Sequence, residues 1–258
     1  MKSVRSTLLC SLAMAMSSGT VFSQTAATLP DAKDVIARYV KASGGAEALK
    51  KITSRVVKGK MMIKEAGIGG SILTMSLKNG KAYTEVEIQG IGTEKQGSDG
   101  TTFWSQSQFT GTRILEGVER EQYVKENDFE SDLHPEKYYT SMKVTGIEKV
   151  GEEDCHRVEK TKKDGDKQID FYSVKTGLAM KSVNPVTTPL GKMEIVTLVT
   201  DYRKVGDLLV SFKSEQALPN NMTQVITIES VEVNVDVDEG KFELPEEIKK
   251  LKAKAAGR

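Results

Sequence analysis

The sequence predicts a mainly β protein with a few helices, of the α+β class, built as a long antiparallel meander. Three observations carry this. From about residue 57 apolar and polar residues alternate with the period of a strand. Turn signals such as Asn79-Gly80, Asp164-Gly165 and Thr176-Gly177 recur between the alternating runs. Only Asp31 to Ala42 shows a clear helical period ahead of them.

The chain opens with the parts of an export signal: Lys2 and Arg5, an apolar stretch from Leu8 to Met16, and the small-residue exit Val21-Phe22-Ser23. That stretch is shorter than the ~20 residues needed to cross a bilayer, and no later segment approaches this length. Residues 1–23 are therefore expected to be a cleaved signal peptide, with 24–258 as one domain exported to the periplasm. Leu9 before Cys10 is too bulky for a lipoprotein signal, so lipidation is not expected.

In Asp31 to Ala42, Val35, Ile36, Tyr39 and Val40 fall on one side, an Asp can cap the start, and Ser43-Gly44-Gly45 ends the helix. A short turn over Ala46 to Lys51 follows. Val57, Gly59, Met61 and Ile63 alternate with lysines. Leu73, Met75 and Leu77 lead into the Asn79-Gly80 hairpin, from which Ala82, Thr84, Val86 and Ile88 return on one face. Ser98-Asp99-Gly100 turns the chain before Phe103 and Trp104. Gly117 to Asn127 and Asp132 to Tyr139 lose the alternation and predict short inserted helices. Strands resume at Met142 and run to Val235, and the lysine-rich tail, about 246–258, is expected to fray.

Without Lys2 and Arg5, the 37 basic residues of the chain become 35 against 36 acidic ones, a balance that does not seek nucleic acid. Cys155 then stands alone, so no intramolecular disulfide forms and an ordinary core must hold about 235 residues together.

Catalytic residues are not expected. Cys155 and His156 are adjacent on a strand and so point to opposite faces; a buried Cys155 and an exposed His156 are the plain reading. His134 precedes Pro135 at a helix start, a capping or solvated position. The chain lacks the closely spaced His and Cys ligands of a zinc site, the acidic clusters at 164–166 and 236–239 lack the ligand order of a calcium hand, and no glycine-rich loop opens a helix. No metal and no cofactor are predicted.

The order of landmarks carries a resemblance. A helix followed by Ala42-Ser43-Gly44-Gly45-Ala46-Glu47-Ala48-Leu49 and Ile52 comes first. Ser98-Asp99-Gly100 before Trp104, Gly151 before Asp154-Cys155, and Phe171-Tyr172 with Lys175-Thr176-Gly177-Leu178 come next. Asp201-Tyr202-Arg203 and then Asp238, Phe242 and Pro245 close the series. Together these resemble the LolA-like outer-membrane lipoprotein-sorting proteins over nearly the whole mature chain.

The resemblance implies a strongly curved antiparallel sheet forming an unclosed β-barrel, covered by the N-terminal helix and the short inserted helices. It implies a non-enzymatic carrier of lipoprotein acyl chains or other lipid, serving partner proteins at the inner and outer membranes, with a monomer expected. The apolar groove is assigned to Val57, Met61 and Ile63; to Leu73, Met75 and Leu77; to Val86 and Ile88; and to Trp104, Ile195, Phe212 and Ile226. Tyr123 and Val124 are assigned to a lid. The methionines suit a lining for flexible chains. The competing reading is a cell-envelope interaction module using the same sheet to bind a protein or glycan, favoured by a polar inner face; Gln224, Ser230 and Glu232 in the last long strand point that way.

Overall fold

The computed structural model describes residues 28–189 and 191–256; the signal expected over 1–23 lies outside them. Helix α1 (Ala32–Ala42) starts where the Asp31 side chain accepts the Lys33 N–H, and buries Ala32, Val35, Ile36 and Val40. It ends at Gly44, whose φ of 120° suits glycine and where a Cβ would stand 2.4 Å from the Asp207 carbonyl oxygen. Helix α2 (Ala46–Lys50) is a single short turn.

Then follow β1 (Ser54–Ile63), β2 (Ile68–Leu77), β3 (Lys81–Ile88), β4 (Gly92–Asp99), β5 (Phe103–Ser107) and β6 (Gly111–Ile114). Helix α3 (Gly117–Asn127) interrupts the sheet before β7 (Tyr139–Val150), β8 (Glu153–Lys162), β9 (Lys167–Ser173) and β10 (Ala179–Thr188). Last come β11 (Gly191–Val205), β12 (Leu208–Leu218), β13 (Met222–Val233) and α4 (Glu246–Ala256). The helix expected from Asp132 to Tyr139 is only a 3-10 turn at Pro135–Lys137, because β7 already begins at Tyr139.

All strands join one curled, unclosed antiparallel sheet of thirteen, ordered β6-β5-β4-β3-β2-β1-β13-β12-β11-β10-β9-β8-β7. Two hairpin meanders thus meet at one long-range pair, β1 with β13, whose register shifts between Lys58 and Gly59. Strands β6 and β7 are the edges.

The two faces are covered differently. On the face carrying Val144, Val158 and Tyr172 sits α1, and on that carrying Ala82 and Phe103 sits Tyr123 of α3; cross-strand pairing makes these one face, the inner one. The opposite face at Tyr83 and Trp104 is closed by the C-terminal segment: Phe242 and Ile248 are buried against it, with Val237 and Leu244 beside them. Trp104 lies over Gly97, where a Cβ would come within 2.5 Å of the indole.

Through Ala256 the tail is instead a helix whose first turns dock on the sheet. Ile248 is 0 % exposed, Glu247 accepts hydrogen bonds from Thr112 and Gln106, and Lys252 donates to Thr102. Lysines dominate its composition, but Leu244 and Ile248 dock on apolar surface that would otherwise face water. Removing residues 246–258 should uncover Trp104, shifting its fluorescence to longer wavelength and lowering Tm. Ile248→Ala should cost ~2–5 kcal/mol in denaturant unfolding; an unchanged midpoint would contradict this packing.

Candidate ligand-binding site

Register gives the inner face its lining. Val57 of β1 stands opposite Val231 of β13, and Met61 opposite Ile226. On the other side Val57 faces Thr74 of β2, and Ile72 and Gly70 of β2 lead on to Val86 and Ile88 of β3. Ser214 of β12 pairs with Ile226, and Val199 of β11 pairs with Ser214, which brings Phe212 and Ile195 to the same side. Of the assigned residues, Val57, Met61, Ile63, Val86, Ile88, Ile195, Phe212 and Ile226 thus share one face. Met61 and Phe212 are buried; Val57, Ile63, Val86, Ile88, Ile195 and Ile226 are only half-buried, so this apolar strip retains access to solvent.

Leu73, Met75, Leu77 and Trp104 fall on the opposite, outer face. Leu77 pairs with Ser54, Met75 with Val56 and Leu73 with Lys58, the other set of β1 residues. Met75, Leu77 and Trp104 pack beneath the C-terminal segment. Strand β2 is apolar on both sides, with Ile68 and Ile72 inward, so its pattern fits either assignment. The polar residues of the last strand also divide: Gln224 lies inward opposite Ile63, while Ser230 and Glu232 pair with Lys58 and Val56 on the outer side.

Helix α3 spans the inner face. Tyr123 meets Phe103 edge-on at 6.1 Å between ring centroids, packed with Ala82 and Leu115, and Val124 lies against the same group. Asn127 accepts a hydrogen bond from Ser76 of β2 at 2.8 Å. On its other side Gln122 holds the backbone of Thr187 in β10 through both amide atoms, at 2.9 and 3.1 Å, and Lys125 donates to Gln168 of β9 at 3.3 Å. A lid position for Tyr123 and Val124 is therefore geometrically available, with polar ties to both halves of the sheet.

Among these ties lies a network the sequence reading missed. Lys160 and Asp170, 3 % and 7 % exposed, form an ion pair at 2.8 Å. Lys160 also donates to the Tyr172 hydroxyl at 2.8 Å, and Gln168 donates to both carboxylate oxygens of Asp170 at 2.9 and 3.0 Å while accepting from Tyr139 at 2.8 Å. Burial works to raise the Asp170 pKa, but Lys160 and Gln168 hold it below the usual carboxylate value. Burial likewise works to lower that of Lys160, and Asp170 with Tyr139 raises it. The signal was present: Val158-x-Lys160 and Asp170-x-Tyr172 place a charge at the inward phase of each strand.

Cys155 is fully buried, with its thiol 3.6 Å from the Glu153 carbonyl oxygen. His156 is half-buried rather than exposed, because its strand face turns toward Arg38 of α1; burial, with Arg38, lowers its pKa. His134 precedes the 3-10 turn without capping it and lies within 3.6 Å of Glu130 and 3.4 Å of Glu136. Among the described residues no group of three or more His, Cys, Asp or Glu side chains is placed to hold a metal ion, and no helix is long and apolar enough to cross a membrane.

Lys160→Met alone should lose ~3–5 kcal/mol, because it strands a buried carboxylate, and adding Asp170→Leu should restore much of this. The pair contributes its stability between the ordinary pKa values of its members, 3.8 and 10.5. Acidification below the first should remove it as Asp170 takes up a proton, and alkalinisation above the second as Lys160 loses one. Denaturant titrations of the wild type and the double variant across this range check the sign.

No family model matches the chain, and no curated protein does. Solved structures do. A DUF1329 family protein from Desulfovibrio piger aligns with TM-score 0.58 at 14 % identity, over 83 % of this chain and 98 % of that one. A LolA superfamily protein from Nitrosomonas europaea aligns with TM-score 0.55 at 11 % identity, over 84 % and 99 %. A domain of the outer membrane lipoprotein-sorting type from Vibrio parahaemolyticus gives 0.53 at 12 %, over 82 % and 95 %. At these identities the likeness concerns architecture, and the chain has the LolA-like fold.

Proposed function

We propose that this protein is a non-enzymatic periplasmic carrier that shelters acyl chains of lipoproteins or other lipids on the inner face of its sheet, for transfer toward the outer membrane. The observation supporting this most is the strip of half-buried aliphatic side chains, Val57, Ile63, Val86, Ile88, Ile195 and Ile226, on the sheet face that also carries helix α3, a helix held by polar contacts. A monomeric protein that used these residues only as core would bury them fully; left half-open, they suit an apolar guest.

Each methylene moved from water is worth ~0.8 kcal/mol, so eight in the groove gain ~6 kcal/mol before association costs. That is reversible binding, suited to loading at one membrane and release at another. Helix α3 gates the groove in this scheme: its hydrogen bonds to Thr187, Gln168 and Ser76 can be exchanged for water at little net cost, whereas the aromatic contact of Tyr123 brings it back.

Ile226→Lys or Val86→Lys should weaken uptake of a fluorescent fatty acid by more than about tenfold, since a charge would lie along the guest chain. Tm should change little at these half-open sites. Met75→Glu should instead lower Tm, because Met75 packs beneath the C-terminal segment. Native mass spectrometry of protein isolated from its own host should find bound lipid or lipoprotein. Protein that carries none and takes up no probe would overturn the carrier reading in favour of an envelope interaction module.

A further inference from the structure

Where the inner face meets α1 and α3, a chamber of about 190 Å³ is lined mostly by polar groups and tyrosine rings, with Ala179 and Val199 its aliphatic members. Lys160, Gln168 and Asp170 form its floor, Ser182 and Val199 one wall, and Tyr39, Lys125 and Asp132 its cover. Asp132 and Tyr139 also line a larger cavity of about 1030 Å³, whose surface is mostly apolar through Ile36, Val40, Leu133 and Met142, with Lys33, Lys41 and Glu136 also in its lining. A small polar chamber and a large apolar cleft thus share two residues.

The hydrogen bonds of the chamber are unevenly met. Lys160 is committed to Asp170 and Tyr172, Asp170 to Gln168 and Lys160, and Lys125 to Gln168. Asp132 is half-buried and has no hydrogen bond or ion pair among the described residues. Burial raises its pKa despite the nearby Lys160 and Lys125, as expected of a carboxylate without donors. Asp132 is thus the carboxylate of the chamber that no protein donor meets, and its oxygens are open to water or to a guest.

Charge narrows which donors fit. The lining holds Lys125, Lys160 and Lys181 against Asp132 and Asp170, so a cationic head would enter an already positive chamber, and an anionic one would have to lie beside Asp132. Hydroxyl groups meet neither obstacle: they donate to Asp132, accept from the lysines, and leave their carbon faces to Tyr39, Tyr139 and Tyr172. The volume, that of ~6 waters at their share of the liquid, suits a glycerol or a single sugar ring.

We infer that this chamber is a headgroup site for an amphiphile with an uncharged, hydroxyl-bearing head, a glyceride or a glycolipid, anchored through Asp132 with its tail in the adjoining apolar cleft. The inference rests on the carrier reading, names the class of its cargo, and seats the tail in the cleft beside α1, an apolar surface separate from the strip of Val57, Val86 and Ile226.

Displacement of a fluorescent fatty acid from the full mature chain tests it, with 1-oleoylglycerol, methyl oleate and oleylamine as competitors. They share one tail and differ in the head. 1-Oleoylglycerol should bind about tenfold tighter than methyl oleate, the size of one added hydrogen bond to a charged acceptor. Asp132→Leu should abolish that difference, read as the ratio of the two affinities within the variant because Asp132 also borders the tail cleft. Asp132→Asn, nearly isosteric and still an acceptor, should keep part of it, with a melting curve confirming the fold. Equal binding of ester and glyceride in the wild type, an undiminished preference in Asp132→Leu, or tighter binding of oleylamine than of 1-oleoylglycerol would overturn the headgroup site alone. Failure of every competitor to displace a bound probe would likewise overturn the headgroup site, and failure of the probe to bind would overturn the carrier reading beneath it.

Discussion

Strand β1 sets the phase of the whole molecule. It pairs with β2 on one side and with β13 on the other, and the second pairing is the long-range seam that unites two hairpin meanders. Because side chains alternate strictly along a strand, a slip of one residue at this seam would send Val57, Met61 and Ile63 outward and Val56 inward. The irregularity at Lys58 and Gly59 lies within it, and Gly59 allows the close approach that results: a Cβ there would stand 2.7 Å from the Thr227 carbonyl oxygen. Correct phase at this pair is what decides which side chains meet α1 and α3 and which meet the C-terminal segment.

The two covers differ in chemistry. The outer surface around Tyr83 and Trp104 is sealed by Phe242 and Ile248, apolar against apolar, and the C-terminal segment has little reason to leave. Over the inner face α3 is anchored by Tyr123 and Val124 and by Arg120 over the Phe103 ring, and its remaining ties are polar: hydrogen bonds and the Arg113–Glu119 ion pair. The polar ties contribute little net free energy because water replaces them readily. An apolar cover on the outer face and a more polar one at α3 follow from which residues each helix brings to the sheet.

Much of this was legible in the sequence. The first helix, the hairpins at Asn79-Gly80 and Gly165, and the inward set Ala82, Thr84, Val86 and Ile88 follow from period and turn chemistry alone, because each is fixed by neighbours close in the chain. Strand β2 was not legible in phase: Ser71-Ile72-Leu73-Thr74-Met75-Ser76-Leu77 is apolar on both faces, and only its pairing with β1 decides which side meets the groove. Strands β4 and β6 were missed because Gly92 to Asp99 and Gly111 to Ile114 are rich in glycine and polar residues, and pairing with neighbours holds them in the sheet. The docking of α4 was hidden for a related reason: five lysines and arginines among residues 249–258 dominate the composition, while Ile248 contributes the burial.

The buried ion pair also bears on why the interior stays open. A curled sheet lined solely by aliphatic side chains gains by drawing its walls together, since every contact removes apolar surface from water. Lys160 and Asp170 oppose this locally, because collapse that displaced Gln168, Tyr139 or Tyr172 would leave a buried charge without its partners. The network fixes the positions of β8 and β9 and of the two tyrosines, and with them the floor on which α1 and Lys125 of α3 rest. A charge pair that adds little to net stability can therefore still maintain a space: it penalises the compact arrangements that would fill the hollow more heavily than the open one.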